Sequence, residues 1–236
     1  MSEHPILRGL DSEEQRKLRE LSERLLRRRQ IITLGEVEAT PEIRLSIAVQ
    51  AALPILNLGL SWYRGWGSLY LTEQEYQYED LEVDDAGVVH EISETVSGQA
   101  LPLGSVALSV ADVEASGWGD GYNVVIHEMA HIIDRQNGRI DGAPALHRDM
   151  PSDEWARVFT EAFDDLQKRV AGPSGRSLRL AYDGAVDPYA AQAPEEFFAV
   201  VTELFFESPK GLIREYPDVY RLLQRFFRQD PVARLS

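Results

Sequence analysis

Two histidines flank a glutamate in His127-Glu128-Met129-Ala130-His131. On an α-helix, residues four apart lie on one face, because the chain turns once in about 3.6 residues. Two neutral imidazoles placed this way can close on one tetrahedral zinc ion, with Glu128 beside the position where water would bind. The chain has only 5 histidines in 236 residues, which makes this pairing around a glutamate a poor candidate for accident. The neighbouring Val125, Ile126, Met129, Ala130, Ile132 and Ile133 are apolar or small. The helix therefore reads as buried nearly all round, with the histidines as its one polar stripe. A buried polar stripe needs partners, and a metal ion satisfies both rings at once.

A catalytic zinc takes three protein ligands and keeps one position open. The chain has no cysteine, so the third ligand must be a histidine or a carboxylate. A histidine six residues after His131 would complete a metzincin-type site, but Asn137 stands there. His4 and His90 have no helical or motif context, and His147, sixteen residues past His131, is the weaker alternative. The stronger source is Pro194-Glu195-Glu196-Phe197-Phe198-Ala199-Val200. In a helix, Glu196, Ala199, Val200 and Glu203 share a face, and Glu195 falls about 100° away. Phe197, Phe198, Val201, Leu204 and Phe205 bury much of that helix, and a buried glutamate requires a compensating charge. Glu196 is the favoured third ligand, and Glu203, two turns on, is placed to orient a ligand histidine. The competing reading pairs Glu196 with an arginine and leaves Glu195 and Glu207 in solvent. Asp134, one turn beyond His131, can accept a hydrogen bond from a ligand imidazole or tie the helix to a neighbour.

These residues need elements to hold them. Asp11-Ser12-Glu13-Glu14 is a helix start with acids in its first turn, and the helix is expected to run to about Arg29. Thr40-Pro41-Glu42 opens a second helix, Pro41–Leu53, ended by Pro54. Ser68–Leu71, Val88–Thr95 and Ser105–Val110 read as strands. The last of these lies just ahead of the histidine helix, where an extended peptide could add as a further strand. Further helices are expected from Ser152 to about Val170, over Pro194–Phe206 and over Asp218–Phe227. The fold class is α+β and predominantly helical, with a small sheet ahead of the histidine helix. We expect a single domain over residues 1–236, with an N-terminal helical part over about 1–60 and a catalytic core over about 61–236.

Composition narrows the function classes. A net charge of −15 argues against nucleic acid as the main partner, because phosphate contacts need a basic surface. Without cysteine there is no disulfide framework. Met-Ser-Glu-His-Pro is not the basic-then-apolar start of a signal peptide. The longest apolar stretch, Ile43–Leu60, is broken by Arg44, Gln50, Pro54 and Asn57, so no membrane span is expected. The expected location is the cytoplasm.

His127-Glu128-Met129-Ala130-His131-Ile132-Ile133-Asp134, Asp187-Pro188-Tyr189-Ala190-Ala191 and Pro194-Glu195-Glu196-Phe197-Phe198-Ala199-Val200 together resemble the Mlc titration factor A family. The resemblance covers about Gly98 to Asp230, including Phe226-Phe227-Arg228-Gln229-Asp230-Pro231, and is looser before that. Members are bacterial cytosolic zinc peptidases with a zincin-like catalytic core similar to that of anthrax lethal factor. The resemblance implies one Zn²⁺ per chain held by His127, His131 and Glu196. It further implies Glu128 as the base and Tyr189 as the hydroxyl facing the reaction centre. It tilts the expected activity towards aminopeptidase action on a peptide or small peptide-like substrate. The better-known members also bind the glucose repressor Mlc, a partnership that no motif of this chain carries over by itself. The alternative function is a regulatory protein that sequesters such a repressor, with peptidase activity secondary.

Overall fold

The computed structural model describes residues 4–73, 95–96, 99–100, 104–171 and 184–235. Asp11 opens α1 (Ser12–Arg28) with a reciprocal cap: its carboxylate accepts the Glu13 and Glu14 N–H groups, and Glu14 accepts the Asp11 N–H. The buried face of α1 is Leu18, Leu21 and Leu25. It packs on α2 (Pro41–Ala52), where Thr40 Oγ1 accepts the Ile43 N–H and Pro41 occupies the first helical position. Pro fits there because its missing N–H would have had no partner.

Between and after these helices run β1 (Ile31–Thr33), β2 (Leu69–Thr72) and an antiparallel pair, β3 (Thr95–Val96) and β4 (Gln99–Ala100). β5 (Val106–Ser109) follows. The sheet has the order β1-β2-β5, parallel throughout, with Leu69 opposite both Ile31 and Val106. A parallel sheet is covered on both faces, and all four residues of β5 are buried accordingly. β5 ends the strand order among the described residues. The expected strand Ser105–Val110 stops at Ser109, whose hydroxyl accepts the Asp112 N–H and starts α3 (Val110–Ala115). Of the expected strand Val88–Thr95, residues 88–94 lie outside the described residues. β1, only three residues long, carried no readable alternation.

The histidine helix is α4 (Val124–Asp134), and α5 spans Ser152–Ala171. Four helices then follow in close succession: α6 (Pro194–Glu207), α7 (Pro209–Glu215), α8 (Pro217–Phe227) and α9 (Pro231–Arg234). Each begins with proline, which cannot continue the preceding helix but fits a new first turn. The Pro209 and Pro231 restarts make α7 and α9, short helices that the apolar pattern alone does not reveal.

Every residue of α6 from Phe197 to Glu207 is buried. The helix lies against α4, α5, α7 and α8. Its Phe198 ring meets Trp155 at 6.0 Å, Phe159 at 6.2 Å and Phe226 at 6.5 Å between centroids. One continuous core runs from Leu18 through this cluster to Phe227. Among the described residues, no helix is long and apolar enough to cross a membrane. Phe198→Ala should cost about 3–5 kcal/mol of unfolding free energy, because close neighbours on every side limit collapse of the void. Urea denaturation followed by tryptophan fluorescence checks this.

Candidate metal centre

α4 begins where Asn123 Oδ1 accepts the Ile126 N–H at 2.9 Å. The apolar residues named from the sequence are all buried, so the helix cannot rotate without exposing them. This orientation turns His127 and His131 towards α6. His127 Nε2 lies 3.1 Å from His131 Nε2 and 3.2 Å from Glu196 Oε2. His131 Nε2 lies 3.6 Å from Glu196 Oε1. Side-chain exposures between 14% and 20% leave this triad partly open to solvent.

These groups fit a metal ion. A tetrahedral zinc with bonds near 2.0–2.1 Å places its ligand atoms about 3.3–3.4 Å apart. The two imidazoles approach different oxygens of the Glu196 carboxylate at comparable distances, and one ligand atom from each residue lies within 4.8 Å of the others. Among the described residues this is the one group of His and acidic side chains arranged to hold an ion. Glu196 Oε2 is buried and out of line for a hydrogen bond, despite its closeness to His127. The charge balance agrees. Burial pulls the His127 pKa down, but Glu196 and Glu203, with Glu128 behind them, outweigh it and raise the imidazole well above its ordinary value. Burial raises Glu196, and the two histidines outweigh that, holding its carboxyl far below the usual carboxylate range.

Glu203 holds the first histidine. Its Oε1 lies 2.7 Å from His127 Nδ1, and its Oε2 accepts the Asn123 N–H at 2.7 Å. With Nδ1–H donated to Glu203, the Nε2 lone pair of His127 points into the triad. Glu203 is itself pushed upward in pKa, by burial first, against the lowering effect of His127 and Asn123. Glu207, one further turn along α6, accepts the Asn123 amide and the Gly119 N–H, each at 2.6 Å. Asn123 also donates to Gln50 Oε1 at 2.7 Å, linking α2 to the start of α4. Glu207 is therefore buried, against the reading that left it in solvent; Glu195 is half-buried.

Glu128 is buried beside His127 on α4. Tyr189 is 39% exposed, with its ring centroid 6.2 Å from that of His127. It sits in a 3₁₀ turn, Pro188–Ala191, where Asp187 Oδ1 accepts the Tyr189 N–H at 2.7 Å. Glu215 anchors the approach to this turn by accepting the Val186 N–H at 3.2 Å and pairing with Arg169 at 2.6 Å.

The structure thus brings His127, His131 and Glu196 together from two helices far apart in the chain. It does not bring His147, whose Nε2 contacts the Phe226 carbonyl at 2.8 Å within a Trp62–Phe226 cluster. His4 lies beside Ser46, and His90 is outside the described residues. Asp134 takes the second of its two expected roles: its Oδ2 accepts the Gly142 N–H at 2.7 Å, tying α4 to the following loop. Asn123, Gln50 and Gly142 were not singled out from the sequence. Glu203 and Glu207 stand seven and eleven residues after Glu196 and so share its face, which is the signal that points to Glu207.

A helix bearing two histidines, a carboxylate from a second helix and a small parallel sheet define a zincin-like α+β protein with a candidate metal centre. The chain belongs to the glucose-regulated metallo-peptidase M90 family, whose sequence profile matches residues 1–228. It is 35% identical over 235 residues to Mlc titration factor A of Edwardsiella ictaluri, covering 98% of this chain and 86% of that protein. Its identity to the Pectobacterium atrosepticum protein of that name is also 35%, over 98% of this chain and 85% of the relative. For a Klebsiella pneumoniae counterpart the identity is 33%, over 98% of this chain and 84% of the relative.

The carboxyl of Glu207 has a consequence for stability. Burial, outweighing the Asn123 and Gly119 hydrogen bonds, pushes its pKa from 4.5 up to about 7. The folded state therefore keeps a proton that the unfolded chain releases near its ordinary value. That contribution to stability is complete below about pH 4.5 and is lost as pH rises through about 7. Denaturant melts of wild type and Glu207→Gln across this window should show wild type losing stability relative to the variant as pH rises.

Proposed function

We propose that this protein is a cytoplasmic zinc-dependent peptidase, aminopeptidase-like on small peptide substrates. The observation that carries the reading is the convergence of His127 Nε2, His131 Nε2 and the Glu196 carboxylate at 3.1–3.6 Å. His127, His131 and Glu196 would hold the ion. Bound there, Zn²⁺ supplies Lewis-acid polarisation of a carbonyl and makes water acidic enough to ionise near neutral pH.

The protein's own groups do the rest. Glu128, next to a ligand histidine in a buried position, takes the proton of the attacking water and passes it to the leaving amine. Tyr189, exposed and with its ring 6.2 Å from that of His127, is the group whose hydroxyl would donate a hydrogen bond to the carbonyl oxygen as charge develops. Glu203 keeps His127 in the tautomer that presents Nε2. Family membership supports the reaction class, and the buried α4–α6 pair supplies a rigid frame for it.

Purified protein should carry about one zinc per chain and cleave chromogenic amino-acid anilides. Glu128→Gln should keep the metal and lose on the order of 10²–10⁴ in rate, the usual worth of a positioned base. Glu196→Ala should lose the metal. Wild type that takes up no zinc when it is supplied would sink the proposal.

A second reading rests on the name shared by the relatives, which describes them as titration factors for Mlc. By it, this chain binds a transcriptional repressor similar to Mlc, with hydrolysis secondary. Pull-down of such a repressor by wild type and Glu128→Gln separates the two. Capture unaffected by the substitution makes binding independent of chemistry, and no capture by either protein removes the second reading.

A further inference from the structure

Gly142 lies at a junction of three helices. Its N–H donates to Asp134 Oδ2 at 2.7 Å, at the end of α4. Its carbonyl accepts the Trp155 indole N–H at 3.1 Å, from α5. Its remaining face is pressed on the start of α6: a Cβ at this position would stand 2.4 Å from the Pro194 carbonyl oxygen and 2.9 Å from its carbon. The φ of +74° also falls in the left-handed region that favours glycine. Asn137 closes the loop that carries Gly142, donating to the Ala143 carbonyl at 2.6 Å and accepting the Arg139 N–H at 2.8 Å.

Pro194 is two residues before Glu196, and Asp134 is three residues after His131. We infer that Asp134 and Gly142 form a positioning brace that sets the separation of α4 and α6, and through it the placement of Glu196 against the two histidines. This inference rests on the metal reading of the triad. Relief of a 2.4 Å contact with backbone requires a displacement of roughly 1 Å, since close-packed interiors have no slack to absorb it. Metal sites tolerate errors of only about 0.2 Å in ligand distance. α6, held by its buried stretch from Phe197 onward, transmits a push at its first turn to Glu196, and yielding by the loop instead breaks the Asp134 bond. Either response disturbs the brace.

The test compares two glycines in one loop. Gly138 has a φ of +90° and open space where a Cβ would go, so Gly138→Ala reproduces the backbone strain without the collision. Two readouts serve: zinc affinity by competition with a chromophoric chelator, and the visible absorption of the cobalt(II)-loaded protein, which reports coordination geometry. Gly142→Ala should weaken zinc binding about 10–100-fold, the usual effect of disturbing groups behind the ligands, and should alter the cobalt spectrum. Gly138→Ala should keep both near wild type. Asp134→Ala should behave like Gly142→Ala, and Asp134→Asn, which still offers an acceptor to Gly142, should restore binding.

Equal affinity and spectrum in Gly142→Ala and Gly138→Ala would overturn the brace. If circular dichroism finds Gly142→Ala unfolded, the Asp134 pair decides: unchanged affinity in Asp134→Ala refutes the inference, and loss rescued by Asp134→Asn supports it. Wild type that takes up neither ion defeats the metal reading, and the brace with it. Wild type that loads normally while the variants do too defeats the brace alone.

Discussion

Buried carboxyl groups between α4 and α6 are the constraint on which the site depends. Glu196, Glu203 and Glu207 stand on one face of a helix whose last eleven residues are all buried. An uncompensated carboxylate in such a place costs several kcal/mol, so each must find a donor or a cation. Each finds it on or just before α4: Glu196 at the histidine pair, Glu203 at His127 and the Asn123 N–H, Glu207 at the Asn123 amide and Gly119. The requirement to satisfy three acids in register fixes the rotation and the axial position of one helix relative to the other.

Apolar packing makes that register rigid. Trp155 and Phe159 of α5 and Phe226 of α8 pack around Phe198 of α6, and the apolar sides of α4 close the rest. Hydrophobic burial is not directional and could not by itself place a carboxylate to within tenths of an ångström. The hydrogen bonds supply direction, and the aromatic core supplies the resistance to displacement. Asn123 joins the two, because one side chain caps α4, meets α6 and reaches Gln50 on α2.

Tyr189 follows a different logic. It is held in a short turn by Asp187 and by the Glu215–Arg169 anchor, outside the buried helix pair, and keeps much of its surface exposed. The role proposed for it requires that it remain accessible, and a turn fastened at its base allows this without loosening the triad.

The triad itself was legible because helical spacing is a local property. His127 and His131 share a face by their numbering alone, and Glu196 stands out as an acid in an aromatic run. The same reasoning recovers helix starts at Asp11, Thr40 and Pro194, where cap chemistry is written in two or three adjacent residues. It failed at β1, at the Glu207 environment and at Gly142, each of which depends on what lies opposite in space. The sequence by itself determined the α+β elements, the histidine–glutamate pattern and the acid most suited to join it. Only the tertiary structure decided that Asp134 faces a loop, that Asn123 links three helices and that Gly142 has no room for a side chain. Those are contacts between residues that share no helix or strand, and local periodicity carries no information about them.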